Sequence, residues 1–132
     1  MKRLFFLLAA LLPAAAAAAA GGGWQASSSG PGLQIRGQQM FSPALSAPEK
    51  SSGVITQISW RYRLNAPPPS GLIVHLCTQT RCVVLEGASG STRGLTDVNA
   101  AENLHFVYSV QGKGKLPQTL RVLSNEVMVN YR

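Results

Sequence analysis

The stretch of sequence that decides the fold spans residues 54–64 and reads VITQISWRYRL. Alternate positions carry large β-forming side chains, and these are Ile58, Trp60, Tyr62 and Leu64. A period of two places such side chains on one face of a strand and the polar ones on the other. The pattern therefore predicts a half-buried β-strand, with Arg61 and Arg63 projecting from its solvent-facing side.

Shorter segments with β-forming residues lie on both sides of this stretch. They are predicted as strands over residues 33–36, 72–77, 82–86, 104–110, 118–123 and 127–131. Segments rich in proline or glycine separate them, namely 65–71, 87–94 and 111–115. No segment shows a sustained helical period of apolar residues. We therefore expect an all-β fold, a single antiparallel, immunoglobulin-like β-sandwich of about seven strands.

The first twenty residues have the pattern of a secretory signal peptide. Lys2 and Arg3 precede the apolar run 4–12, and an alanine-rich segment continues to Ala20. The competing interpretation is a membrane anchor, but the apolar stretch is near the lower length limit of a span, Pro13 interrupts it, and no cationic cluster follows. We expect cleavage, and no membrane span in the chain that remains.

Three regions are predicted along the chain. Residues 1–20 form the signal peptide, residues 21–31 a flexible lead-in rich in glycine and serine, and residues 32–132 the β-sandwich domain. Trp24 is an exception within the lead-in, because an isolated indole usually docks against a core. Removal of the signal peptide takes away two cations and lowers the net charge from +7 to +5.

Cys77 and Cys82 are expected to form a disulfide bond across a hairpin. Cysteines of an exported protein meet an oxidising compartment, where pairing is usual. A register with the two cysteines opposed places the apolar pairs on one face and the cysteines on the other, less buried face. A redox role would favour C-x-x-C spacing, and a metal site with His75 and His105 would need reduced thiolates.

A second hairpin is predicted near the end of the chain. A turn at Ser124 and Asn125 would place Val122 opposite Val127, with the other apolar residues of 118–131 on the same face. This register would pair the last strand with the one immediately before it.

The sequence offers little for catalysis. The five carboxylates of the chain are scattered through it and are Glu49, Glu86, Asp97, Glu102 and Glu126. Residues 87–92 match neither a phosphate-binding loop nor a nucleophile elbow. We expect no enzyme activity, no cofactor and no metal, and the absence of Lys/Arg runs argues against nucleic acid as a partner.

Two surface interpretations stay open from the residues alone. Arg61 and Arg63 would suit an anionic or acidic protein partner, or would form an ordinary solvated face. Trp60 and Tyr62 would suit a carbohydrate platform if exposed, although their parity favours core packing.

Several motifs resemble one family. The stretch WRYRLN at residues 60–65, the paired cysteines before an acidic residue, LHFVYSV at 104–110 and VNYR at 129–132 are similar to the flagellar protein FlhE family. The resemblance extends over roughly residues 24–132.

This resemblance implies a β-sandwich and a non-enzymatic periplasmic accessory protein of flagellum biogenesis in Gram-negative bacteria. Such a protein would bind a basal-body or export-apparatus component, acting like a chaperone or helping to keep the secretion channel proton-tight. It also implies a disulfide between Cys77 and Cys82, and it brings no catalytic residues. The alternative is an exported module that binds carbohydrate or peptidoglycan through exposed aromatic residues.

Overall fold

The computed structural model describes residues 21–49 and 51–132, which form nine β-strands and no helix. The strands are β1 (Gly22–Ser28), β2 (Gly32–Ile35), β3 (Gln39–Phe41), β4 (Ile55–Leu64), β5 (Leu72–Cys77), β6 (Cys82–Val84), β7 (Ser89–Thr92), β8 (His105–Val110) and β9 (Lys115–Tyr131). No helix capable of crossing a membrane is present in this part of the chain. The predicted signal peptide, residues 1–20, lies outside the described residues.

The strands form two antiparallel sheets packed as a sandwich. The five-stranded sheet has the order β1-β9-β4-β7, and β2 pairs with the same edge of β9 as β1. The four-stranded sheet has the order β3-β8-β5-β6. The predicted all-β sandwich is confirmed, with nine strands in the described residues where about seven were expected.

The core lies between the two sheets and is centred on aromatic side chains. Trp60 and Tyr62 are 7% and 6% exposed, so the parity predicted for residues 54–64 is confirmed. The Tyr62 ring meets Phe106 and Tyr108 of the opposite sheet edge to face, with centroids 6.4 and 5.5 Å apart. Such T-shaped contacts add to the stabilisation that area burial provides.

The cysteine hairpin has the predicted register. Cys77 lies opposite Cys82, and Leu76 lies opposite Val83. The two sulfur atoms are 2.05 Å apart, a disulfide-bond distance, and the Cα atoms are 4.0 Å apart. Leu76 is fully buried on the core face. On the other face Cys82 is exposed but Cys77 is only 8% exposed, so the expected exposure of the cysteine face holds for Cys82 alone. The hydrophobic pattern of the two strands therefore set the register.

The segment predicted as a flexible lead-in is largely a strand, so that prediction is wrong for Gly22–Ser28. These residues pair with β9 over its last seven positions. Trp24 is 6% exposed, and its indole Nε1 donates a hydrogen bond to the Ala100 carbonyl, 3.3 Å away. The composition of these residues resembles that of a linker. Two interactions remote in sequence nevertheless fix the backbone, namely the pairing with β9 and the burial of the Trp24 indole beside Ala100.

The predicted terminal hairpin is also wrong, because β9 runs without a turn through Ser124 and Asn125. Its pairing with β4 skips Leu123, so that Val122 faces Leu64 and Ser124 faces Arg63. One extra residue on one strand is a β-bulge, and it reverses the inward parity beyond that point. The change of parity that suggested a turn therefore marks a bulge in a single strand.

The glycine-rich segment 87–94, predicted as turns, contains the edge strand β7. It pairs with the middle of β4, and Gly90 lies opposite Trp60. A Cβ at Gly90 would come within 2.8 Å of the Trp60 ring, so a side chain there would displace the indole. The sequence pattern therefore missed three strands, which are β1, β7 and β3.

Candidate functional site

The outer face of the five-stranded sheet carries the arginines singled out from the sequence. We call this surface the outer face. It consists of two cross-strand rows. One row contains Ser27, Glu126, Arg61 and Ser89, and the other contains Gln25, Met128, Ser59 and Ser91. Four of these eight residues are serines with short side chains, and the surface has a shallow open groove of about 470 Å³.

Arg61 is partly neutralised on this face. Its Nη2 lies 3.5 Å from Oε1 of Glu126, directly across the β4–β9 pair, and the two side chains are 59% and 41% exposed. Exposed ion pairs contribute at most about 1 kcal/mol, because water solvates and screens both charges. The pair therefore orients Arg61 but leaves it able to exchange Glu126 for another anion.

Arg63 lies two residues further along β4 and has a different environment. It faces Ser124 and is exposed, and no carboxylate of the described residues lies within 4.0 Å of its guanidinium. A guanidinium offers five N–H donors in a planar fork that matches a carboxylate or phosphate. Of the two arginines, Arg63 is therefore the better anion-binding group.

Arg121 is a neighbour of Arg63 that the sequence reasoning missed. The Arg121 backbone N–H donates to the Asn65 side chain, 2.9 Å away, and Asn65 Nδ2 donates to the Thr119 carbonyl at 3.2 Å. Asn65 therefore extends the contact between β4 and β9 by one residue. This contact brings Arg121 next to Arg63 on the exposed face. The predicted hairpin paired residues 118–123 with residues 127–131, and only the β4–β9 pairing reveals the true neighbour of Arg121.

The aromatic residues considered for carbohydrate binding lie in the core. The Trp60 indole donates to the Gly87 carbonyl at 3.1 Å, and Tyr62 packs against the aromatic residues of the opposite sheet. Phe41 is exposed at 58%, but it stands alone, beside His105 on the outside of the four-stranded sheet. The described residues therefore provide no flat pair of exposed aromatic rings on which a sugar could stack.

The titratable groups considered for catalysis or metal binding do not converge. His75 faces Val84 and Val107, and His105 faces Cys77, all on strands of the four-stranded sheet. In the part of the chain that the structure describes, no three His, Cys, Asp or Glu side chains are placed to hold a metal ion. Burial, with a smaller contribution from the Tyr62 charge, raises the pKa of Tyr108, so this phenol stays protonated inside the core.

Comparison with known proteins gives a consistent result. The family model described as "Flagellar protein FlhE" matches residues 30–132. The FlhE protein of Escherichia coli K12 is 51% identical over 109 residues, which cover 83% of this chain and 84% of that protein. The FlhE protein of Yersinia enterocolitica is 42% identical over 112 residues, which cover 83% of this chain and 80% of that protein.

A solved structure agrees with the sequence matches. A crystal structure of FlhE superposes with a TM-score of 0.84 at 51% sequence identity, covering 86% of this chain and 99% of that one. The fold of this chain is therefore shared with a protein whose structure was determined by experiment.

Proposed function

Because the chain belongs to the flagellar protein FlhE family, we propose that it is a non-enzymatic periplasmic accessory protein of flagellum biogenesis. It binds a component of the basal body or the export apparatus. In that complex it acts like a chaperone or helps to keep the secretion channel proton-tight. The contact is made by the outer face, with Arg61 and Arg63 as the anion-binding groups.

The observation that carries this proposal is the placement of the two arginines on β4. A paired central strand holds their backbone, so little conformational entropy is lost when a partner binds them. Arg61 has an exchangeable partner in Glu126, and Arg63 has none among the described carboxylates. A carboxylate on the partner can therefore form a charge-assisted hydrogen bond with either guanidinium.

The periplasmic location is supported by two features. The pattern of residues 1–20 is that of an export signal. Cys77 and Cys82 lie opposite each other in the β5–β6 hairpin, where they can form a disulfide, and disulfides persist in compartments such as the periplasm. A carbohydrate-binding role has no such support, since Trp60 and Tyr62 are both buried.

The proposal is tested by complementing a deletion strain with Arg61→Ala/Arg63→Ala. We expect reduced motility and a leaky export gate, because both anion-binding groups are lost. The matched control is Arg93→Ala/Arg132→Ala, which removes the same charge from two exposed residues outside the two rows of the outer face. Circular dichroism and expression level establish that both variants fold. Full function of Arg61→Ala/Arg63→Ala would reject the outer face as the contact.

Photo-crosslinking in the periplasm identifies the partner. A photoreactive residue at Ser59 lies on the outer face beside Arg61, whereas one at Val84 lies on the outside of the other sheet. We expect a basal-body or export component to be captured from position 59 and not from position 84. Capture of the same component from Val84 alone would move the contact to the four-stranded sheet.

A further inference from the structure

Half of the ten cations downstream of residue 20 lie on the first part of β9, residues 115–124, or on segments beside it. They are Arg36, Arg63, Lys113, Lys115 and Arg121. The segments that build this end, residues 31–41, 63–72 and 110–124, contain no Asp or Glu. We call this surface the basic end. Its positive charge is therefore not compensated by carboxylates of its own segments.

Hydrogen bonds between remote segments hold the basic end together. The Arg36 backbone N–H donates to the Gly114 carbonyl at 2.8 Å. Its Nη1 donates to the carbonyls of Ser70 and Gln111, at 3.2 and 3.1 Å. These bonds join the end of β2, the proline-rich loop and the turn that carries Lys113. The cations are thus displayed on a fixed surface.

Exposed aliphatic side chains lie among these cations. Leu123, turned outward by the bulge in β9, is 51% exposed and neighbours Arg63. Ile35 is 39% exposed and pairs with Lys115, six residues before Arg121 on β9. Six residues of strand span about 20 Å, so the charges and aliphatic groups form an extended strip.

An apolar groove opens at the same end. It has a volume of about 220 Å³ and is lined by residues that include Pro67, Leu116 and Pro117. Cationic side chains combined with exposed aliphatic groups and an apolar groove match both parts of a phospholipid, its phosphate and its acyl chain. A peptide made of acidic residues alone would match only the charges.

We propose that the basic end docks on the surface of a bilayer that carries anionic phospholipid headgroups. The cations neutralise lipid phosphates, and Leu123 and Ile35 enter the headgroup layer. Arg63 lies on both surfaces, but the other four cations belong to the basic end alone, so this role does not depend on the binding of a flagellar component.

The docking is tested with purified residues 21–132, which contain all nine described strands and the core. Residues 1–20 are omitted because their apolar run would itself enter a bilayer. We expect the protein to co-sediment with vesicles of equal parts phosphatidylcholine and phosphatidylglycerol, and not with pure phosphatidylcholine. Binding should weaken as salt is added, because salt screens the attraction.

Two double variants with equal charge separate a local surface from overall charge. Lys115→Ala/Arg121→Ala is expected to lower vesicle affinity about 25-fold, about fivefold for each cation near the surface. Arg93→Ala/Arg132→Ala removes two cations outside the basic end and should change affinity less than about twofold. Arg63 stays intact in both variants, so the result is independent of the flagellar assay.

Polyglutamate serves as the probe for an acidic protein. Leu123→Gln is expected to weaken binding to the mixed vesicles and to leave polyglutamate binding unchanged. Equal binding to both kinds of vesicle, or equal loss in the two double variants, would overturn the proposal. Binding to polyglutamate without binding to the mixed vesicles would assign the basic end to an acidic protein instead.

Discussion

The hydroxyl of Tyr108 in the four-stranded sheet donates a hydrogen bond to Oδ1 of Asn125 in the five-stranded sheet, and both side chains are fully buried. The Asn125 amide Nδ2 donates to the Gly30 carbonyl at 2.8 Å and to Ser28 Oγ at 3.3 Å. One amide therefore joins both sheets and the connection between β1 and β2. A buried amide is tolerated in a core when its donors and acceptor are satisfied in this way.

Removing this amide should strongly destabilise the fold. We expect Asn125→Ala to lower the free energy of unfolding by about 2–4 kcal/mol, since it leaves the Tyr108 hydroxyl and the Gly30 carbonyl without their partner. Tyr108→Phe should cost about 1–2 kcal/mol, for the hydrogen bond alone. Urea unfolding of the two single variants and the double variant measures the coupling, which should exceed about 0.5 kcal/mol. Additive effects would show that the two side chains act independently.

Stability should fall at alkaline pH. Burial, and to a smaller extent the Tyr62 charge, raises the pKa of Tyr108 above its ordinary value of 10.0. Below about pH 10 the phenol is protonated in both the folded and the unfolded chain, so it adds no pH dependence. Above that pH the unfolded chain loses the proton and the folded chain keeps it, so stability falls by up to about 1.4 kcal/mol per pH unit.

The variant Tyr108→Phe isolates this effect. Its unfolding free energy, measured in urea between about pH 9 and pH 11, should fall less steeply than that of the unaltered protein. Burial also raises the pKa of Tyr62, so a residual slope is expected in the variant. Parallel slopes for the two proteins would mean that Tyr108 ionises in the folded state.

Loss of the cysteine bridge should be tolerated. The bridge closes a short loop, five positions apart in sequence, and the loop-entropy model gives about 2 kcal/mol for a loop of this size. Cys77→Ala/Cys82→Ala should therefore lower the unfolding free energy by about that amount and keep the native circular dichroism spectrum. As a comparison, Leu76→Ala on the buried face of the same strand should cost about 2–5 kcal/mol. A larger loss from the cysteine variant than from Leu76→Ala would contradict this ranking.

Trp24 should behave as a core residue. We expect Trp24→Ala to lower the unfolding free energy by about 3–5 kcal/mol, because it leaves a cavity between β1 and the segment around Ala100. The neighbouring Gln25 faces solvent, and Gln25→Ala should change stability by less than about 0.5 kcal/mol. Equal stability of Trp24→Ala and the unaltered protein would show that residues 21–31 behave as a flexible segment.

Some elements could be predicted from the sequence because their information is local. The alternation in residues 54–64 placed Trp60 and Tyr62 in the core, and the pattern around Cys77 and Cys82 gave the register of their hairpin. In both cases the apolar residues of one or two neighbouring strands define a face, and a slip by one residue would expose them.

Other elements depend on partners far away in the chain. The residues of β1 are mostly glycine and serine, and only β9, about a hundred residues later, makes them a strand. The bulge at Leu123 produces the same parity change as a turn, and only the long pairing with β4 distinguishes them. The proximity of Arg63 and Arg121 also follows from that pairing, so this part of the candidate site could not be predicted from the sequence.

The position of β9 in the chain has a consequence for export. Among the described strands, β1 and β2 pair with β9 alone, and β4 has β9 as its longer partner. The five-stranded sheet therefore cannot close before residues 115–131 are present. Under the periplasmic location proposed above, the core side of the four-stranded sheet therefore stays uncovered until nearly the whole chain has crossed the membrane. The sandwich is then completed in a late step, and a chain truncated before β9 leaves its core side chains open to proteolysis.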